Sequence, residues 1–283
     1  EMIGNHPIDQ LHVWKRDSAV PGEDGFRPGY GEQEQQLGLQ LGEALLAVRE
    51  DLFVGGIVSP PNRTARPGQH VLDCVEVEPD EWWIGWHTAE GIASRWTGGT
   101  YSRALPPHAI NRAYLKMDEA IRWSRMPLRA GDRCAEIGSA PGGSCQALLD
   151  RGLKVIGIDP ADMDQRVLDH DSFKHLQKRA ADIKRDVFSK VDWLFADANV
   201  APQYTLDCVQ DIVTHSSVQI RGMLLTLKLL EWKLADEIPA YLAKIRSWGY
   251  QDVRIRQLAS QRQEICVAVL KTRSFRRTVP RRR

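Results

Sequence analysis

Four charged residues stand inside or directly beside apolar stretches of the sequence: Lys116, Asp197, Lys228 and Glu264. A lysine within such a run, as Lys228 is, must reach solvent or find a partner, because an unpaired buried charge is costly. A desolvated lysine beside another cation can also lose its proton and serve as a general base. These residue types therefore permit proton-transfer chemistry. The alternative is that Lys228 has no catalytic role and only extends its amine to solvent.

A glycine-rich segment follows one predicted strand and opens the next predicted helix. It runs from Glu136 to Ser144 as EIGSAPGGS, and its glycines allow the backbone to approach a ligand closely. The glycine spacing differs from G-x-G-x-x-G, which disfavours a dinucleotide pyrophosphate site. Asp159 ends the next strand, 21 residues after Gly138, where a carboxylate can accept the hydroxyls of a ribose. Loop and acid together predict a nucleoside cofactor, the alternative being a tight turn with a capping acid.

The elements that must position these residues alternate between apolar strand-like runs and helical patterns after Pro106 and Pro107. This alternation predicts an α/β fold with a doubly wound, mostly parallel sheet that is covered on both faces. The last two strands are separated only by residues 259–264, which predicts a hairpin with an antiparallel last strand at the edge of the sheet. The predicted strands are 134–137, 155–159, 191–196, 223–229, 253–258 and 265–270, and the predicted helices are 111–123, 143–151, 204–220 and 232–248.

The first part of the chain is rich in Gly, Pro and Trp and predicts a small α+β module. Its tryptophans Trp82, Trp83 and Trp86 suit either a core or a base-stacking platform, and the core is favoured. The predicted elements here are a helix over 32–50 and strands over 71–77 and 81–87.

Charge is divided unevenly along the chain, although the net charge is only +1. Residues 1–105 hold 16 Asp and Glu against 8 Lys and Arg, a net charge of −8, and the remainder carries +9. The basic part indicates a polyanionic partner. We expect an acidic accessory module over 1–105, a catalytic domain over 106–272 and a basic tail over 273–283.

Residues 136–144 resemble the S-adenosylmethionine loop of the FtsJ-type (RrmJ-type) ribose 2′-O-methyltransferases, which reads D-L-G-x-x-P-G-G-W. The segment 111–119, NRAYLKMDE, is similar to the S-R-A-x-x-K-L-x-E helix of that family. The likeness covers roughly residues 108–271 and is strongest to the RlmM-type enzymes of large-subunit ribosomal RNA, which also carry an N-terminal RNA-binding region. It implies a Rossmann-like methyltransferase domain preceded by a reduced, THUMP-like RNA-binding module.

The resemblance implies S-adenosylmethionine as the cofactor and a ribose 2′-hydroxyl of RNA, in particular large-subunit ribosomal RNA, as the methyl acceptor. Lys228 would take the hydroxyl proton, Lys116 and Asp197 would orient it, and Glu264 would fix the lysine geometry. The implied cofactor contacts are Glu136, Gly138, Ala140, Pro141, Gly142, Gly143, Ser144, Asp159 and Asp197.

Three positions depart from the family pattern. Glu136 replaces the usual Asp, and Ser144 replaces the aromatic residue after the glycines. Arg179 stands where an acid often lies near the adenine amino group, with Asp182 as a weak substitute. The last two departures keep a second function open, namely a methyltransferase-fold RNA-binding protein that has lost turnover. A methyltransferase acting on proteins or small molecules has no substrate signal in the sequence.

An RNA partner requires basic surface for phosphates. The N-terminal module offers a small patch at Arg63 and Arg66, and the tail adds a basic arm. The densest basic segment precedes the predicted strand over 191–196 and contains Lys174, Lys178, Arg179, Lys184, Arg185 and Lys190.

The five cysteines are odd in number and scattered, without a C-x-x-C pair. This usage favours a reducing compartment over a disulfide scaffold or a zinc ribbon, and Cys134 and Cys266 are predicted to be core thiols. No apolar run reaches about 18 residues, so no membrane span is predicted. We therefore expect a cytoplasmic, metal-free protein, with a monomer as the default state.

Overall fold

The computed structural model describes residues 7–17, 19, 31–56, 60–101, 103 and 105–272. The chain divides into two compact units, Glu1–Arg103 and Ala104–Arg283. The basic tail expected over 273–283 lies outside the described residues. Within the described part, every helix is too short or too polar to cross a bilayer.

The first unit contains a three-stranded sheet and one long helix. The central strand pairs in parallel with the first strand and antiparallel with the third. The helix packs its leucines Leu37, Leu41 and Leu45 against the buried side chains of the sheet, which confirms the predicted α+β character. The first strand was not predicted. The elements are β1 (Gln10–Lys15), α1 (Glu32–Val48), β2 (His70–Glu78) and β3 (Glu81–Thr88).

The tryptophans of β3 do not form the core that the sequence favoured. Trp83 and Trp86 are 54% and 40% exposed, and only Trp82 packs against the core of the unit. The physical reason is that the helix α1 covers β1, which lies at the opposite edge of the sheet from β3.

The second unit contains a seven-stranded sheet flanked by helices. Four neighbouring strand pairs in it are parallel, which confirms the predicted α/β class. Its elements are α2 (Ala113–Ser124), β4 (Arg133–Ile137), α3 (Gly143–Leu149), β5 (Lys154–Ile158), α4 (Gln165–Leu168), β6 (Phe173–Leu176), β7 (Trp193–Ala196), α5 (Pro202–Val213), β8 (Gly222–Lys228), α6 (Ile238–Ser247), β9 (Asp252–Arg256) and β10 (Glu264–Leu270).

The strand order is β6-β5-β4-β7-β8-β10-β9. The predicted hairpin is present, since β9 and β10 pair antiparallel, but the last strand is not at the edge. β10 lies between β8 and β9, so β9 is the edge strand. All seven residues of β10 are buried, and a strand so apolar is stabilised by hydrogen bonding on both sides.

The sheet alternates its side chains between two cores, one on each face. Leu194, Ala196 and Leu225 belong to one core, while Trp193 and Phe195 belong to the other. The helices α5 and α6 contact strands β8 and β9, and α2 and α3 contact β10 and β5. Cys134 and Cys266 are fully buried in the second core, which confirms them as core thiols.

Two predicted helices were too long. The helix expected over 204–220 ends at Val213, where Thr214 and the serines that follow favour caps and turns over helix interior. The helix expected over 232–248 is a short 3₁₀ turn, Trp232–Ala235, followed by α6. Pro239 lies in the first turn of α6, because proline lacks the backbone N–H needed inside a helix.

Candidate active site

From β4, the strands β5 and β6 extend the sheet on one side, and β7 and β8 extend it on the other. The strand order therefore reverses between β4 and β7, which are neighbours at the centre of the sheet. In such sheets, ligands bind outside the carboxyl ends of the strands at this switch point. Gly138 follows β4 and Asp197 follows β7, and a side chain at Gly138 would lie 2.7 Å from the carbonyl oxygen of Asp197. The glycine loop and this acid are therefore in direct contact.

Strand alternation places the charged residues on one face of the sheet. Lys228 shares the face of Leu224, and Glu264 shares the face of Cys266, both of which contact the core under α2. Lys228 and Glu264 are also directly opposite each other across the antiparallel pair β8 and β10. The sheet thus presents both side chains towards the helix that carries Lys116.

The four charged side chains predicted from the sequence converge there as one cluster, which we call the tetrad: Lys116, Asp197, Lys228 and Glu264. Glu264 binds both lysines, with Oε1 accepting from Lys116 and Oε2 from Lys228. Asp197 lies 3.0 Å from the Lys228 amine and 3.9 Å from the Lys116 amine. Glu264 is 5% exposed and the other three side chains 15–17%, so the cluster remains open to solvent on one side.

The electrostatics of the tetrad differ from the sequence expectation of a lysine pushed towards neutrality. Burial alone would lower the pKa of Lys228, but the carboxylates of Asp197 and Glu264 outweigh burial and raise that pKa above its ordinary value. Burial acts to raise the pKa of Glu264, yet the two lysines lower it. In the free protein the tetrad therefore holds Lys228 as an ammonium paired with carboxylates.

Glu119 is a site residue that the sequence reasoning missed. It follows Lys116 by one helical turn in α2 and is 2% exposed. Its carboxylate accepts hydrogen bonds from the backbone N–H groups of Ala259 and Ser260, at 2.9 Å each, and from the Ser260 hydroxyl. It fixes the hairpin loop that leads into Glu264. The signal available in the sequence was the match of Glu119 to the final Glu of the S-R-A-x-x-K-L-x-E helix.

The turn of the glycine loop is held by Asp159. One oxygen of its carboxylate accepts from the backbone N–H of Ala140 at 3.1 Å, and the other accepts from Ala161 at 2.8 Å. The next residue, Pro141, accepts from the backbone N–H of Asp164. Each carboxylate oxygen can accept a further bond, so Asp159 serves the turn and still has capacity for a hydroxyl.

The two glycines that open α3 are sites of close approach. Gly142 has a φ of 118°, and a side chain there would meet Val167 at 2.9 Å. A side chain at Gly143 would collide with the Asn111 side chain. Asn111 in turn accepts from the backbone N–H of Ala113 and so starts α2. The loop thus packs closely against the helix of Lys116.

Two buried polar groups of the loop have no hydrogen-bond partner among the described residues: Glu136 Oε1 and Ser144 Oγ. The other Glu136 oxygen accepts from the Cys145 thiol at 2.8 Å. Ser144 lines a cavity of about 20 Å³ together with Lys116, Asp197 and Thr226. Buried polar groups normally have partners, so both groups fit a loop that completes its hydrogen bonds with a bound polar molecule.

Glu136 is fully buried. Burial raises the pKa of its carboxyl to about 8, the Cys145 thiol opposes this, and the negative charges of Asp197 and Asp159 raise it further. At neutral pH in the free protein, Glu136 is therefore mostly protonated.

Gly138→Ala is expected to destabilise the protein more than Gly131→Ala. Both glycines have positive φ, 79° and 86°, but a side chain at Gly131 meets nothing within 4 Å, whereas at Gly138 it meets the Asp197–Ala198 backbone. Backbone strain costs about 1–3 kcal/mol at either position, and overpacking adds about 1–3 kcal/mol at Gly138 only. Urea unfolding of both variants measures the difference, and equal losses would show that the loop does not need this close approach.

The predicted basic segment does not lie together. Lys174 and Lys190 line a cavity of about 470 Å³ with Arg133 and Lys154. This cavity lies at the amino ends of β4, β5 and β6, whereas the tetrad lies at the opposite edge of the sheet, where the parallel strands end. Arg185 donates to the Ile183 carbonyl and the Asp211 carboxylate. Its charge is therefore paired, and its role is structural. Lys178, Arg179 and Lys184 are exposed.

Known proteins resemble the chain mainly over the second unit. The family model of FtsJ-like methyltransferases matches residues 109–244. "Ribosomal RNA large subunit methyltransferase M" from Thauera aminoaromatica is 27% identical over 218 residues, covering 72% of this chain and 57% of the relative. The protein of the same name from Stenotrophomonas maltophilia is 28% identical over 222 residues, covering 74% and 58%. The chain thus spans less than two thirds of the length of these curated relatives.

A solved structure supports the fold independently of sequence. A Lactococcus lactis protein provisionally named a hemolysin superposes with a TM-score of 0.50 and 16% identity, covering 59% of this chain and 90% of that one. The sheet with its switch point, the glycine loop after β4 and the family match over 109–244 agree with one another. The second unit is similar to the FtsJ-like methyltransferases, whose family model matches residues 109–244.

Proposed function

We propose that this protein transfers a methyl group from S-adenosylmethionine to a ribose 2′-hydroxyl of RNA, with large-subunit ribosomal RNA as the substrate. The observation that carries the proposal is the convergence of two lysines and two carboxylates beside the glycine loop at the switch point. The relatives named as ribosomal RNA large subunit methyltransferases support the choice of RNA.

The family makes S-adenosylmethionine the cofactor, and the unpartnered polar groups of the loop fit such a ligand. When bound, the cofactor supplies an activated methyl group on a sulfonium centre. Glu136 and Ser144 offer free hydrogen-bonding capacity, and Asp159 can accept ribose hydroxyls. The residues we assign to cofactor binding are Glu136, Gly138, Ala140, Pro141, Gly142, Gly143, Ser144, Asp159 and Asp197.

The tetrad supplies the proton chemistry in this proposal. A hydroxyl is a poor nucleophile, so orientation and a general base both contribute to its reaction. Lys228, once neutral, accepts the hydroxyl proton at Nζ, and the resulting ammonium returns to Asp197 and Glu264. Lys116 shares Glu264 with Lys228 and so holds the base in place.

The alternative is a methyltransferase-fold protein that binds RNA without turnover. It is favoured by Ser144, which lacks the aromatic surface of the family loop, and by Arg179, which is exposed after β6. An intact tetrad argues against it, because a protein without turnover needs no such arrangement of charges. Calorimetry with S-adenosylmethionine separates the two, since absence of binding at millimolar concentration would favour the alternative.

Methyl transfer to unmodified large-subunit ribosomal RNA is the test of the proposed function. We expect the protein, incubated with transcribed RNA and labelled S-adenosylmethionine, to produce one 2′-O-methylated nucleoside on digestion and mass spectrometry. A ribosomal RNA from a deletion strain should lack the same mark. A methylated base in place of a methylated ribose would contradict the ribose assignment, and no labelled nucleoside from any RNA would contradict the proposal as a whole.

A further inference from the structure

Four large apolar side chains of the second unit are exposed in two segments that follow neighbouring strands. Among its described residues, six large apolar or aromatic side chains are exposed, namely Leu105, Leu168, Val200, Tyr204, Leu230 and Trp232. Single exposed apolar residues are common on protein surfaces and need no explanation. Here, however, the last four lie in the segments that follow two adjacent strands. We call these four residues the apolar rim.

The apolar rim directly continues the tetrad strands. Val200 and Tyr204 follow Asp197 in the segment after β7, and Leu230 and Trp232 follow Lys228 in the segment after β8. β7 and β8 are parallel neighbours, so both segments leave the sheet at the same edge. The Cα atom of Leu230 lies within about 7 Å of that of Lys228, and the Cα atom of Trp232 within about 14 Å. Leu230 and Trp232 therefore lie within reach of the tetrad, and Val200 and Tyr204 lie in the segment that leaves the same edge of the sheet from the neighbouring strand.

The rim is suited to flat apolar groups and not to phosphates. Tyr204 is 73% exposed and Trp232 54%, which leaves much of each ring open to solvent. The nearby cations are already neutralised, because Lys233 pairs with Glu231 at 2.6 Å and Lys244 pairs with Asp207. Aromatic side chains bind unstacked nucleobases through their faces, whatever the base.

We propose that the apolar rim binds the unpaired bases next to the target nucleotide by stacking on Tyr204 and Trp232, so that the substrate is single-stranded at and beside the methylated position. This inference rests on the proposed function and narrows its substrate class. A base inside a duplex is already stacked on its neighbours and cannot offer its face to a protein ring. The rim would therefore select unpaired RNA without reading its sequence.

Fluorescence anisotropy tests the rim separately from methyl transfer. The probes are a labelled single-stranded RNA of about a dozen nucleotides and a blunt duplex of the same length. We expect the wild-type protein to prefer the single strand. Tyr204→Ala and Trp232→Ala should each weaken single-strand binding by about 5- to 150-fold. Tyr204→Phe and Trp232→Phe retain a ring and should bind nearly as wild type does, and Leu168→Ala removes a matched exposed apolar side chain away from the rim.

The same variants should leave binding of S-adenosylmethionine unchanged and should raise the KM for RNA more than they lower kcat. Wild-type affinity for the single strand in both alanine variants would overturn the proposal and leave the rim as a contact for a protein partner. Equal losses for duplex and single strand would also overturn it. If binding depends on the rings while no RNA is ever methylated, the rim is a single-strand binding surface and the proposed function fails.

Discussion

Lys228→Ala and Lys228→Arg should both abolish methyl transfer, with losses of at least about 10²–10⁴-fold, the usual contribution of a general base. The pair separates two roles that a lysine could have. Arginine keeps a positive charge beside Asp197 and Glu264, but its guanidinium cannot release a proton in a protein. If Lys228 acts only through its charge, the arginine variant should retain activity. If it accepts the hydroxyl proton, arginine should be as inactive as alanine.

Binding of S-adenosylmethionine is the internal control for these variants. When Lys228 is removed, Glu264 remains paired with Lys116, and Asp197 keeps the same amine at 3.9 Å. We therefore expect calorimetry to give nearly wild-type affinity for the cofactor in both variants. Substantial turnover by Lys228→Ala would remove Lys228 from the mechanism.

The pH dependence of the wild-type rate provides a second readout of Lys228. Its pKa is raised by Asp197 and Glu264 against the effect of burial, so at neutral pH only a small fraction of the lysine is neutral. Since only the neutral amine can accept a proton, kcat/KM should increase about tenfold for each pH unit up to the raised pKa. A rate that is flat between about pH 7 and 9 would contradict this role.

The direction of that pKa illustrates what the sequence could and could not predict. The sequence indicated two lysines and two acids beside apolar elements, and the pairing of β8 with β10 in the structure places Lys228 opposite Glu264. It could not predict which charge would dominate at Lys228. That depends on distances, and in the structure two carboxylates lie closer to its amine than any other charge described, at 3.0 Å or less.

For the fold as well, local sequence patterns predicted some features, while others depended on tertiary packing. Apolar runs and the short hairpin loop predicted the class of the sheet and the pairing of β9 with β10. The place of β10 between β8 and β9 depends on its pairing with β8, which the hairpin loop does not determine. The exposure of Trp83 likewise depended on which part of the sheet the helix α1 covers. Pro239 indicated that a helix begins there, but the helical pattern over 232–248 led to the prediction of one long helix.

Glu136→Gln should stabilise the protein at neutral pH and remove a pH dependence of its stability. The folded protein keeps the proton of Glu136 up to about pH 8, whereas the ordinary value of 4.5 applies to the unfolded chain. Between those values the folded state binds more protons, so the free energy of unfolding falls as pH rises. The loss is about 1.4 kcal/mol per pH unit and on the order of 4–5 kcal/mol across the interval.

Urea unfolding at several pH values measures this effect. The Gln variant should match the wild type near pH 4.5 and exceed its stability near pH 8. Glu237→Gln removes an exposed carboxyl of the same unit and should keep the wild-type slope. A Glu136→Gln variant that follows the wild-type curve throughout would mean that Glu136 does not hold its proton in the folded state.

Burial of the Glu136 carboxyl lowers the stability of the free protein at neutral pH, and a cation of a bound ligand would offset this cost. Oε1 of Glu136 has no hydrogen-bond partner among the described residues, and a cation placed there favours the carboxylate. S-adenosylmethionine carries cationic groups, so its binding should release the Glu136 proton. Its affinity for the wild-type protein should then increase by about tenfold per unit between about pH 5.5 and 7, while Glu136→Gln should bind more weakly and without that dependence. Calorimetry measures the affinity of both proteins for the cofactor at several pH values. An unchanged pH dependence in the variant would show that Glu136 does not contact the cofactor.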